Sequence, residues 1–224
     1  MKKLKLLLTV SILLNLFLIG TGMLYAHQLS PGKEGYREIA QKLGIVEERR
    51  PAYNFYGEER FSGLPGAEIT VLGDSQAERG PWSEVLGKPV ANRGQSGKTI
   101  SEVQAGLSTD LDSDTSELII WAGTNDAIAG RTPEQIQQAM ESLISEARRI
   151  APQAKVYTLG VPLVPADKAY LDEVNQALAV ASQQKEATFI PTEATLSGYL
   201  VNDGVHVKGQ GYVLLGQQIK QEMG

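Results

Sequence analysis

Cysteine is absent from the 224 residues, and histidine occurs only twice, as His27 and His206. The first absence excludes disulfides, thiolate nucleophiles, Cys-ligated zinc and iron–sulfur clusters, along with the lipidated cysteine of a bacterial lipoprotein. The scarcity of histidine excludes a metal site built from several imidazoles, so no metal is expected. A basic face is missing as well. The formal net charge is -5 and the isoelectric point is near 5.2. Lysine and arginine are scattered except for one cluster at the start, which argues against nucleic acid as a partner. There is no internal repeat and no low-complexity tract.

One long apolar run is present, and it lies at the N-terminus. Met1-Lys2-Lys3-Leu4-Lys5 is basic, and Leu6 to Ala26 is interrupted by only four polar side chains, those of Thr9, Ser11, Asn15 and Thr21. A bilayer-spanning helix needs about 20 such residues, and the basic start keeps that end in the cytoplasm. Residues 1–28 therefore read as a transmembrane anchor with the remainder outside the cytoplasm. A cleaved signal peptide, processed near Gly20-Thr21-Gly22, is the alternative, and it would leave a secreted protein. Residues 29–62 read as a membrane-proximal extension. Tyr36, Ile39, Ala40 and Leu43 fall at helical spacing there, and Tyr53, Phe55, Tyr56 and Phe61 supply rings to pin the extension down.

Residues 63–224 alternate strand and helix signals. Strand candidates are Glu68 to Leu72, Pro89 to Asn92, Leu118 to Trp121, Lys155 to Leu159 and Ala187 to Ile190. Helices lie between them. Thr99 with Glu102 makes a capping-box pattern ahead of Ile100, Val103 and Leu107, and Thr132, Pro133 and Gln135 open a longer helix facing inward through Ile136, Met140, Leu143, Ala147 and Ile150. Leu171, Val174, Leu178 and Ala181 mark another helix; Tyr212, Leu215, Ile219 and Met223 mark the last. Strands separated by helices imply right-handed crossovers and a parallel sheet between helix layers, an α/β sandwich. Sites in such sheets collect beyond the carboxyl ends of the strands.

Three polar clusters follow strand candidates directly: Gly73-Asp74-Ser75, the loop from Gly94, and Gly123-Thr124-Asn125-Asp126. His206, just before the last helix, arrives from the same side. With His27 beside the apolar run, His206 is the base available to a serine. Ser75 is the candidate nucleophile, His206 its general base, and Asp203 the group that fixes the imidazole tautomer. The backbone N–H groups of Ser75 and Gly94 and the amide of Asn125 are candidate oxyanion donors.

These blocks resemble those of the GDSL or SGNH hydrolases: Gly73-Asp74-Ser75, Gly94 within Asn92-Arg93-Gly94-Gln95-Ser96-Gly97, Gly123-Thr124-Asn125-Asp126, and Asp203-Gly204-Val205-His206. The resemblance spans roughly Ala67 to Gly211. It implies a flavodoxin-like three-layer α/β/α sandwich around a five-stranded parallel sheet, with hydrolysis of esters or thioesters without a cofactor. It also implies the roles just given for Ser75, Gly94, Asn125, Asp203 and His206. Gln76 stands where the family usually has an aliphatic residue, which suggests a more polar wall beside the nucleophile. The stretch Glu78 to Trp82 resembles the short-chain acetylhydrolase branch, and Trp82 reads either as helix-start packing or as a pocket wall.

Two rival readings remain. Gly94-Gln95-Ser96-Gly97-Lys98-Thr99 has the look of a phosphate-binding loop, but Asn92 occupies the position where that pattern needs its first glycine. A catalytically idle carbohydrate-binding module is the other. The reading that absorbs most residues is a serine esterase acting on an O-acyl group, in particular O-acetyl, of an envelope glycan or lipid. Its partners would be that substrate and, through the anchor, the membrane.

Overall fold

Ile69–Gly73, strand β1, is buried along its whole length, as a central strand covered on both faces should be. It lies in the middle of a computed structural model that describes residue 61 and residues 64–162 and 168–224. All of these fall in the unit Tyr53–Gly224. The anchor expected over 1–28 and nearly all of the extension expected over 29–62 lie outside the described residues. Among the described residues, no helix is long and apolar enough to cross a membrane.

Four further strands join β1: β2 (Val90–Gly94), β3 (Glu117–Trp121), β4 (Lys155–Leu159) and β5 (Thr188–Ile190). All pair in parallel, in the order β2-β1-β3-β4-β5. This is the five-stranded parallel α/β sheet that the sequence implied. The order reverses at β1, and the register sets Gly73 beside Gly94 on one side and Trp121 on the other. The carboxyl ends of β1, β2 and β3 thus finish level, and the loops that leave them open at one edge.

Alternation along the strands sorts side chains into two cores. Leu72, Leu118, Ile120 and Val156 face one way, against helices α3 (Ile100–Ala105), α6 (Pro133–Ile150) and α7 (Lys168–Gln184). Ile69, Val71, Ile119, Trp121, Tyr157 and Leu159 face the other, against α1 (Ser75–Arg79), α2 (Trp82–Leu86) and α9 (Gly209–Met223). Both expected capping boxes form, Thr99 with Glu102 and Thr132 with Gln135. The helix after Thr99 is shorter than its apolar spacing suggests. It stops at Gly106, and a separate turn, α4 (Leu107–Asp110), carries Leu107 into the core. Two other short helices, α5 (Thr124–Ile128) and α8 (Glu193–Leu196), complete the set. Phe61 is buried with the Arg93 guanidinium over its ring, 5.1 Å from the centroid.

Candidate active site

β1 ends in a sharp corner. Gly73 takes φ +148, and Asp74 then caps α1, its Oδ1 accepting the Gln76 N–H at 2.9 Å. Ser75 is therefore the first residue of a helix, with an N–H that has no acceptor within that helix. The residue is 9% exposed, and its Oγ lies 3.0 Å from His206 Nε2. The other imidazole nitrogen, Nδ1, is 2.7 Å from Asp203 Oδ2. Three side chains spread over 131 positions of sequence meet in one chain of hydrogen bonds. With Nδ1 donating to the carboxylate, Nε2 is left to accept the Ser75 hydroxyl proton.

The loop bearing the imidazole is folded around Asp203. Its second oxygen, Oδ1, accepts the backbone N–H groups of Val205 and His206, each at 2.9 Å. Partial burial pushes the Asp203 carboxyl up, but the bond from the His206 ring and those from the two backbone N–H groups outweigh it and hold the group at about 2. Asp203 is thus ionised throughout the neutral range. The loop closes on itself through the Val201 N–H to the His206 carbonyl at 2.7 Å and the Leu200–Val207 bridge.

Asn125 lies on α5 with its Nδ2 donating to the Lys98 carbonyl at 2.9 Å. A primary amide carries two N–H bonds, so one remains to point at substrate. Its neighbour Asp126 is fully buried and accepts the Ile100 N–H at 2.9 Å; Arg131 Nε stands 3.4 Å from the other oxygen. Burial pushes Asp126 up, against the opposing pull of Ile100 and Arg131.

Gly94 does not occupy the expected position. Its N–H donates to Asn92 Oδ1 at 3.0 Å, and a Cβ there would come within 2.2 Å of the Glu78 backbone nitrogen. Its smallness serves the packing of β2 against α1. Gly97, three residues on, has the features the role requires. It is exposed, its φ is +82, and its N–H has no acceptor among the described residues. It also directly precedes Lys98, whose carbonyl holds Asn125. The sequence signal was the Ser96-Gly97 pair between a strand end and the Thr99 cap, where a turn needs a left-handed residue.

Gln76 and Trp82 are not substrate contacts either. Gln76 is 0% and Trp82 1% exposed. Trp82 donates its Nε1–H to the Ala77 carbonyl at 2.7 Å and stands edge-on to Trp121 and Tyr212, at 6.0 and 5.8 Å between ring centroids. A large ring with a satisfied N–H contributes most when wholly inside, which is why packing prevails. The phosphate-loop alternative fails on the same loop. Glu78 Oε2 accepts both the N–H and the hydroxyl of Ser96, so a carboxylate occupies the place an anion would need.

Beside Ser75 sits a buried acid that lies outside the Ser75–His206–Asp203 chain of hydrogen bonds. Asp74 is fully buried, and its Oδ2 has no partner. Burial pushes it up from 3.8 to about 7, against the Gln76 N–H bond and the pull of nearby Thr124, with the Asp126 charge adding to the rise. Between about 4 and 7 the folded carboxyl keeps a proton that the unfolded one has lost, so stability falls as pH rises through that window. Asp74→Asn keeps an acceptor for the Gln76 N–H and removes the ionisation. It is expected to raise the unfolding temperature more at pH 8 than at pH 5; equal gains at both would contradict the assignment.

Comparison with known proteins bears on the same region. The model of the GDSL-like Lipase/Acylhydrolase family matches residues 65–214. Esterase TesA of Pseudomonas aeruginosa is 34% identical over 94 residues, covering 40% of this chain and 46% of that protein, so the match spans about half the relative's length. Among solved structures, a Streptococcus pneumonia protein named for platelet activating factor superposes with TM-score 0.68 at 19% identity, covering 86% of this chain and 100% of that one. The carbohydrate acetylesterase Est24 of Sinorhizobium meliloti gives 0.59 at 19% identity, covering 69% and 97%. A variant of the acetyl xylan esterase Axe2 of Geobacillus stearothermophilus gives 0.61 at 16%, covering 73% and 95%. At these identities the structural likeness speaks for the fold alone.

Proposed function

The chain belongs to the GDSL-like lipase/acylhydrolase family, a class of carboxylic ester hydrolases, and on that premise we propose that it hydrolyses short O-acyl esters, O-acetyl above all, by a Ser75–His206–Asp203 mechanism. The observation that carries this reading is the continuous relay from Ser75 Oγ through the imidazole to Asp203, with spacings of 3.0 and 2.7 Å. Ser75 Oγ attacks the acyl carbon as Nε2 takes its proton. Negative charge gathers on the former carbonyl oxygen, and the N–H groups of Ser75 and Gly97 and the amide of Asn125 are the donors that would meet it. One such donor is worth about 10²–10³ in turnover. Collapse breaks the ester C–O bond, and the imidazolium gives its proton to the departing alcohol. Water then repeats the sequence on the acyl-serine, releasing the acid and restoring the hydroxyl.

The glycan or lipid of the cell envelope is proposed as the carrier of the acyl group. Support comes from the basic and apolar N-terminal sequence, which would hold the domain outside the cytoplasm, and from the acetylated-carbohydrate esterases among proteins of like fold. The test is an acyl-length series on the purified full chain with p-nitrophenyl esters, beside acetylated oligosaccharides. The acetyl ester is expected to be cleaved at least about tenfold faster than an octanoyl one, since a single methylene without apolar space to receive it already costs about that much. Preference for the long chain would redirect the reading to lipid esters; no hydrolysis of either would end it and favour the carbohydrate-binding module.

A further inference from the structure

Gln76 is a wholly buried primary amide one residue from the nucleophile, and it joins three parts of the chain. Its side-chain Nε2 donates to the Val205 carbonyl at 2.6 Å, across 129 positions of sequence. Its backbone carbonyl accepts the Tyr212 hydroxyl of α9 at 2.8 Å, and its N–H is held by Asp74. The remaining amide atom, Oε1, is buried with no partner. An unpaired buried acceptor is a standing cost that an aliphatic side chain of similar size would avoid. A tight packing role therefore gives no reason for an amide here; the donor does.

The recipient of that donor is the peptide unit that leads into His206. The imidazole loop is turned outward, with the Asp203 side chain 47% exposed, so its own Asp203–His206 bonds fix the ring to the loop but not the loop to the protein. Gln76 supplies the buried link between loop and nucleophile helix. We propose that Gln76 is a positioning residue for the base, its Nε2–H bond to Val205 setting the imidazole of His206 against the hydroxyl of Ser75. This rests on the esterase reading above for its kinetic consequence, though not for the mechanical one.

Two variants of the full chain test it. Gln76→Leu keeps the volume and deletes the donor. It is expected to lower kcat for p-nitrophenyl acetate by about tenfold to a hundredfold, the scale of a modest misplacement, with KM changed less than about twofold. Gln76→Glu keeps the shape and makes the donor depend on a proton. While its carboxyl is protonated it donates to the carbonyl; once ionised it repels it. Asp74 titrates in the parent as well, so the informative quantity is the variant-to-parent ratio of kcat. That ratio should fall as pH rises from about 5 to 9, while thermal unfolding at each pH shows the variant folded. An unchanged kcat in Gln76→Leu, or a flat ratio in Gln76→Glu, overturns the proposal. If Gln76→Leu does not fold, the ratio for Gln76→Glu decides alone. If the parent cleaves no ester at all, the esterase reading fails by itself. The link is then judged by amide hydrogen exchange at Val205 and His206, which should quicken in the folded Gln76 variant and overturns the link if it does not.

Discussion

Ser75→Ala is expected to lower ester turnover by about 10⁴-fold or more. Among the described residues the Ser75 hydroxyl is the nucleophile within reach of the imidazole, and its loss leaves the backbone N–H of position 75, Gly97 and Asn125 in place with no attacking atom before them. What survives should be the small acceleration that donors and binding give to water. Because Ser75 and His206 act as one unit at 3.0 Å, adding His206→Ala to Ser75→Ala should lower the rate little further. Turnover is measured per mole of folded protein on p-nitrophenyl acetate. A Ser75→Ala protein that kept a tenth of the parent rate would place the chemistry elsewhere.

Gly73→Ala is expected to destabilise the fold by about 4 kcal/mol or more, within the range reserved for changes that force backbone apart. A Cβ on Gly73 would lie 1.9 Å from the Trp121 carbonyl oxygen and 2.7 Å from its carbon, with φ at +148. Neither atom belongs to a side chain that could rotate away. The same carbonyl accepts the Asp74 N–H at 3.1 Å, and the Gly73 carbonyl accepts the Gln95 N–H at 2.9 Å. Relief would therefore separate β1 from β3 at the point where the nucleophile corner begins. Denaturant unfolding measures the effect; a loss under about 1 kcal/mol would mean that the strand ends part readily.

The elements legible in the sequence were those set by periodicity and caps. The five strands stand within a residue or two of their apolar runs, and both Thr caps formed, because a buried strand and a capped helix each need a pattern that local residues supply. The short helices α1, α2, α5 and α8 left too few residues for a period to show. The relay was legible in kind, since one histidine in the body of the chain left no competitor. Gly94 and Gly97 could not be told apart by composition. The distinction lies in where Asn92 turns its side chain and how closely α1 approaches β2, both products of tertiary packing. Gln76 was hidden for the same reason: whether an amide beside a serine faces solvent or the underside of a distant loop depends on a contact 129 positions away.

The Tyr212 hydroxyl on the Gln76 carbonyl has a consequence for the order of events in biosynthesis. The nucleophile corner emerges from the ribosome early, whereas the imidazole loop and the helix that seats it emerge near the end. A nascent chain thus carries its serine without a partner to activate it. The Ser75–His206–Asp203 arrangement is complete only when the last helix docks.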